Sequence, residues 1–312
     1  MTKTTSTNTD SSTLDENNFL GLIGDKKWDK STITYEFSDN KIPWDKWEKD
    51  AVIRALDIWK NYINITFSDD TSSGIDFQFH KVSNNENIFP RVDTARMQFP
   101  SIFQSDAWFN IDFDVWTDDN MDIGQSGLTT ILHEIGHGLG LTHPHDNGNG
   151  SEIFAGVVEI TDGLYSLGNN NYNSGLYTIM SYNLGGYWDN VNLELEWNKN
   201  FLINIASPMA FDIRVAQSFY GANVSTNSSD RSTYYLSDVV DEGAIICVWD
   251  AGGVHDCISA ISFGHDQHAI IDLNEGGLFS TRMQSNGDIG HYGGYTIALG
   301  SVIENAEVRK WQ

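Results

Sequence analysis

Residues 133–143 read His-Glu-Ile-Gly-His-Gly-Leu-Gly-Leu-Thr-His, which brings three imidazoles, one carboxylate and a glycine into eleven positions. On a helix, His133 and His137 stand at i and i+4, so both rings project from one face about a turn apart and can grip a single ion. Gly140 allows a positive φ and an abrupt exit from the helix, which lets His143 swing back as the third ligand. Three neutral imidazoles leave a zinc ion its full charge and its fourth position to water, whose pKa then falls toward ~7. Glu134 lies beside the ligands and is not needed as one. It is the candidate general base that takes the water's proton and passes it on. The chemistry this set points to is zinc-assisted hydrolysis.

The elements that must position these groups follow from periodicity. Thr32–Phe37 alternates polar and apolar residues as a half-buried strand does. Pro43 opens a segment whose Trp44, Trp47, Ala51, Ala55, Ile58, Trp59 and Tyr62 share one helical stripe. Short strands are expected at 64–67, 75–79 and 107–113. Ala95, Arg96, Met97, Gln98 and Phe99, stopped by Pro100, read as an edge strand able to pair with an extended peptide. Leu128, Ile131, Leu132, Ile135 and Leu139 form the buried stripe of the histidine helix, with Ser126 its expected cap. Gly136 and Gly138 inside that helix cost roughly 1 kcal/mol each relative to alanine, which implies close packing there. A long Gly- and Asn-rich loop spans 147–175, and 208–220 reads as a further helix ended by Gly221. Beyond Asn223 the pattern changes to short strands with Gly and Asp turns, including 244–249, 269–273 and 295–303. The expected division is a leader over 1–18, a main domain over 19–222 and a small β domain over 223–312.

Composition narrows the partners. The chain has 312 residues, 40% of them hydrophobic, and 18 basic against 43 acidic residues give a net charge of −25. That sign argues against nucleic acid or an anionic membrane surface and fits a secreted protein that binds calcium. No apolar run reaches the ~18 residues of a membrane span. The first eighteen residues are polar and do not form a secretory signal peptide. Cys247 and Cys257 flank a Gly-Gly turn, so a cross-hairpin disulfide and two buried thiols are equally open. His145 follows Pro144 and is expected to point away at the surface. His80, His255, His265, His268 and His291 lack ligand spacing and are expected to be solvated or structural.

The histidine motif, with Thr178-Ile-Met-Ser-Tyr182 downstream, resembles a metzincin metalloprotease and more narrowly the serralysin family. Thr32–Phe37, Asn64–Phe67 and Trp108–Ile111 are similar to that family's strands. Pro208-Met209, Asp212-Ile213 and Tyr220–Asn223 are similar to its closing helix. Val248–Gly253, Asp272–Gly276 and Ile303–Ala306 are similar to the start of its β-roll. The resemblance implies an α+β fold: a twisted, mostly parallel five-stranded sheet with long helices, followed by a small β-roll-like domain. It implies a monomeric zinc endopeptidase acting on protein or peptide substrates, open to a protein inhibitor and exported without an amino-terminal signal peptide. Met180 would lie in the turn beneath the zinc, Tyr182 would be a switchable fifth ligand that stabilises the tetrahedral intermediate, and substrate would lie antiparallel along Ala95–Phe99. The chain departs from the family where it stops at Gln312, short of the usual calcium repeats and carboxy-terminal export signal. It has Asn227–Asp230 in place of an Arg-Thr-Gly-Asp stretch. Its partner loop keeps Asp250, Gly252 and Gly253, but the following aspartate, Asp256, comes one residue late. A weak calcium site at most is expected at Asp250, Gly252 and Asp256. The competing expectation for the whole chain is an inactive zinc-containing binding module of the same fold, against which the intact Glu134 and Tyr182 speak.

Overall fold

The computed structural model describes residues 19, 21–38, 42–84, 94–161, 164–184, 187–189, 194–196, 204–240, 243–264, 266–276, 280–284 and 293–309. The expected leader, and His265 and His291, lie outside the described residues.

Five strands form the first sheet: β1 (Thr32–Phe37), β2 (Thr66–Ser68), β3 (Phe77–Val82), β4 (Ala95–Met97) and β5 (Ser105–Asn110), in the order β2-β1-β3-β5-β4. The pairs β1–β2, β1–β3 and β3–β5 are parallel, and β4 alone runs antiparallel, against β5. The sheet is thus mostly parallel with an antiparallel edge. Strand ends differ from the periodicity by two or three residues, because a buried aromatic run such as Phe77-Gln-Phe79 does not mark where its ladder stops.

Helix α1 (Lys46–Lys60) begins behind Asp45, whose backbone N–H donates to Glu48 at 2.6 Å. That bond satisfies a donor that a helix start leaves open. Glu48 is itself buried, bound to Lys81 Nζ at 2.5 Å and to Trp116 Nε1 at 2.7 Å, so the pair is enclosed and both carboxylate oxygens have donors. The same buried stripe continues through Ala51, Val52, Ala55, Leu56 and Trp59 into the core, and Trp59 Nε1 donates to Leu132 O at 3.0 Å. This ties α1 to α2 (Ser126–Gly138), the helix that carries the histidines. Gln125, not Ser126, occupies the cap position of α2, and Ser126 is its first helical residue. All five expected stripe residues of α2 are fully buried.

Helix α3 (Ala210–Tyr220) ends at Gly221, whose φ is +79°. Two further sheets are built mostly from the chain beyond it. One is a three-stranded parallel sheet made of Thr233–Tyr235, Cys257–Ser259 and Asn305–Glu307. The other has five strands, with parallel pairing of Asn204–Ile205, Ala244–Val248 and Gly294–Ile297 and an antiparallel hairpin of Gln267–Ile270 with Ser280–Gln284. Leu236, Val248, Ile258, Ile297 and Ile303 fill a second core cluster there. The main core crosses residue 222, since Cys247, Trp249, Ala298 and Leu299 pack into it and Tyr62 Oη donates to Cys247 O at 2.9 Å. An α+β architecture with a β-roll-like carboxy-terminal part is therefore what the chain builds. Cys247 and Cys257 are both free and lie in different sheets, so no cross-hairpin bridge forms between them. Burial pushes the Cys247 thiol up to about 12, which makes it inert.

Candidate metal and catalytic site

The site begins at the carboxyl end of α2. Gly140 has φ +103°, and the turn there carries two reverse hydrogen bonds, Leu141 N–H to Gly136 O and Gly140 N–H to His137 O, each 2.9 Å. This is the Schellman arrangement, in which a left-handed residue lets the chain fold back on the last helical turn. A side chain at Gly140 would also run into Lys26 O, so glycine is required twice over. The turn delivers Leu141 O under His137 and swings His143 over the helix face.

The three rings converge through one nitrogen each. His143 Nε2 lies 3.2 Å from His133 Nε2 and 3.0 Å from His137 Nε2. The other nitrogens have acceptors of their own at 2.8 Å: His133 Nδ1 faces Ile179 O, His137 Nδ1 faces Leu141 O, and His143 Nδ1 faces Asp146 Oδ2. Each acceptor fixes the proton on Nδ1, so three Nε2 lone pairs point at one another. Only a cation between them relieves that arrangement. Tetrahedral zinc with Zn–N of ~2.0–2.1 Å sets its nitrogens ~3.4 Å apart, within a few tenths of an ångström of the spacing found. Burial and then the neighbouring His143 push His133 down to about 3, and the same causes, with His133 added, hold His137 well below the usual histidine range. Both rings are therefore neutral and able to ligate at neutral pH. Burial works to raise Asp146, yet its hydrogen bond and charge interaction with His143, with the Gly148 N–H, hold it below the usual carboxylate range. It stays an acceptor for His143, as outer partners of metal-bound histidines do.

Glu134 follows the first ligand on α2 and is buried. Tyr182 lies over the site from the opposite side, its ring 4.8 Å from that of His143 and 5.8 Å from that of His133, and 58% of its surface is exposed. It therefore forms an exposed wall over a partly buried cluster. Met180 is fully buried under the helix, and a methyl group at Gly136 would come within 2.7 Å of its sulfur. Gly138 is filled in the same way by Met97 from β4. The two helical glycines thus admit two methionines beneath the ligands. Met97 consequently sends its side chain inward, whereas Arg96 and Gln98 are exposed and Phe99 sets its ring edge-on to His137 at 5.3 Å. The strand ends at Met97, although Gln98 N–H still donates to Asp106 O of β5 at 2.9 Å, and β4 is the sheet's edge.

Three contributors escape a reading of the sequence. Asp212 of α3 is fully buried and accepts from Thr178 Oγ1 at 2.6 Å, Ile179 N–H at 2.7 Å and Met209 N–H at 2.8 Å. It clamps the turn whose Ile179 carbonyl orients His133. Burial pushes its carboxyl up to about 7 against the pull of these bonds. Asp146 is the second, and its i+3 spacing from His143 is the signal that could have found it. His145 is the third. It was expected at the surface but is only 3% exposed, because it stacks on His143 and is covered by Tyr165 and Tyr182. Replacement Asp212→Ala leaves two buried N–H groups and a hydroxyl without an acceptor, at ~1–3 kcal/mol each, so a loss of about 3 kcal/mol or more is expected. Urea unfolding measures this, and an unchanged midpoint would show that the carboxylate does not hold the turn.

Comparison with known proteins places the chain among the M10 peptidases. The matrixin family model of the M10 peptidases matches residues 27–159, and the M10 serralysin C-terminal model matches residues 209–308. Serralysin of Proteus mirabilis is 28% identical over 292 residues, covering 86% of this chain and 53% of the relative. Serralysin A of Dickeya chrysanthemi is 30% identical over 269 residues, covering 81% and 49%. Metallopeptidase AprA of Pseudomonas marginalis is 28% identical over 274 residues, covering 83% and 51%. The chain spans about half the length of these curated relatives.

Proposed function

The chain is a serralysin-like metzincin, and from that premise we propose that it is a zinc-dependent endopeptidase that cleaves proteins or peptides outside the cell. The observation that carries the reading is the convergence of three Nε2 atoms at 3.0–3.2 Å with every Nδ1 already committed. His133, His137 and His143 would hold the ion. Zinc bound there supplies a Lewis acid that acidifies a water molecule and polarises the scissile carbonyl. Glu134 takes the attacking water's proton on its carboxylate and returns it to the departing amide nitrogen. Its burial keeps that carboxylate out of bulk water, so the proton passes locally. Tyr182 donates its O–H to the oxygen that gains charge as the carbonyl becomes tetrahedral, a contact stronger in the transition state than before it. The outer edge of β4, unpaired among the described residues, gives an extended substrate a row of backbone groups to pair with, and the exposed Arg96 and Gln98 flank that path. Among the described residues no helix is long and apolar enough to cross a membrane. Digestion of unfolded casein with and without a chelator tests the reading: cleavage that stops with chelator and returns with zinc supports it, and metal-independent cleavage or none contradicts it.

A calcium ion is the second group proposed, and the residues favour Asp256 over Asp250. Asp250 is engaged, accepting from Tyr234 Oη at 2.6 Å and Gly252 N–H at 3.0 Å. Asp256 is fully buried; its Oδ1 accepts from Ser232 N–H at 2.6 Å, but its Oδ2 has no hydrogen-bond partner among the described residues. That oxygen faces Gly253, where a methyl group would also come within 2.7 Å of Ser229 O. An uncompensated buried carboxylate oxygen beside a backbone carbonyl suits a hard cation. Calcium at ten times its dissociation constant stabilises a protein by about 1.4 kcal/mol, equivalent to a rise of about 3–5 °C in Tm. That rise is expected for the wild type and absent in Asp256→Asn; a Tm indifferent to calcium removes the site.

A further inference from the structure

His145 has no place in the ligand set, yet it is one of the most enclosed polar side chains near the site. Its ring lies parallel to that of His143, with centroids 4.8 Å apart and planes inclined by 8°. It stacks on Tyr165 at 4.4 Å and 25°, and meets Tyr182 at 4.6 Å and 52°. One ring therefore touches a ligand, a hairpin residue and the exposed tyrosine at once. Its Nδ1 is buried and has no hydrogen-bond partner among the described residues. A buried nitrogen left in that state costs stability, so polar satisfaction does not explain the position. Nor does it make a second metal site with His143 and Asp146, although the three cluster within 4.8 Å. Both nitrogens of His143 are already committed, one to the other ligands and one to Asp146.

The remaining reading is mechanical. Tyr182 projects from the turn after Met180 and is more than half exposed, and of its ring contacts with the three imidazoles of His133, His143 and His145 the one with His145 is the shortest. Behind His145, Tyr165 forms a flat backing. Asn173 Oδ1 accepts from Ser181 Oγ at 2.8 Å and so anchors the residue before Tyr182. We propose that His145 is a positioning residue: wedged between Tyr165 and His143, it keeps the Tyr182 phenol over the three ligands, at the place where substrate oxygen gains charge. This rests on the role assigned above to Tyr182. A donor displaced by about 1 Å loses of order 10–100-fold in rate, and the loss falls on turnover because the donor acts in the transition state.

The test is a double-mutant cycle in the full chain, with kcat, KM and zinc content measured on a fluorogenic peptide. His145→Ala is expected to lower kcat at least about tenfold with KM within about twofold and one zinc retained. His145→Phe, which keeps a flat ring and removes the orphaned nitrogen, is expected to restore kcat to within about threefold. In a Tyr182→Phe background, His145→Ala is expected to add no further loss, because the group it positions is gone. Equal losses in both backgrounds, failure of phenylalanine to rescue, or loss of zinc from His145→Ala would each overturn the proposal while leaving the role of Tyr182 intact. Full kcat in Tyr182→Phe alone would instead remove the role of Tyr182 and this inference with it.

Discussion

Replacing Glu134 by glutamine is expected to lower turnover of any peptide substrate by about 10²–10⁴-fold while zinc content stays at one per chain. The amide has the shape of the carboxylate but cannot take a proton at neutral pH, so the attack on the carbonyl loses its base and the leaving nitrogen loses its acid. Metal retention is expected from geometry, because the donors proposed for the ion are the three Nε2 atoms and none belongs to Glu134. Folding should be unaffected, since the two side chains are isosteric. Initial rates on a quenched peptide, together with metal analysis, separate the outcomes. A Glu134→Gln variant that keeps full activity with its zinc would falsify the assignment of the general base. One that loses zinc would make Glu134 part of the metal site.

The second large effect is expected from His143→Ala. His133 and His137 are neighbours on one helix, but they close only one side of the site, and His143 is the group that reaches both, at 3.2 and 3.0 Å. Altering an outer partner of a metal-bound histidine already costs ~10–100-fold in affinity, so deleting a ligand costs more. The variant is expected to be metal-free after dialysis and inactive, yet folded, because α2 is held by its apolar stripe and by Trp59. Circular dichroism and metal analysis check both halves. Wild-type zinc retention would show that a different set of residues holds the ion.

These expectations come from residues that lie close in sequence, and that is why so much of the site was legible. A helix fixes His133, Glu134 and His137 relative to one another by its own geometry, and Gly140 announces the reversal that brings in His143. Gly136 and Gly138 signalled close packing, and Met180 and Met97 supply it. The strand-and-helix frame was similarly readable, because Thr32–Phe37 and the stripe on α1 each follow one period. What escaped depends on long-range meetings. Asp212 looks like an ordinary acidic residue in the first turn of a helix, and only the fold shows that it clamps a turn some thirty residues earlier. His145 was assigned to solvent on local backbone grounds, but Tyr165 and Tyr182 come from distant segments to enclose it. The engagement of Asp250 has the same origin, because the hydroxyl it accepts from belongs to Tyr234 on another strand.

All of the chemistry depends on one ion held by three nitrogens. Protein prepared with ample zinc and crystallised for anomalous scattering at the zinc edge tests that dependence directly. The expected result is a single strong peak within ~2.0–2.1 Å of Nε2 of His133, His137 and His143. No peak there, or a peak elsewhere with the three rings turned apart, would contradict it.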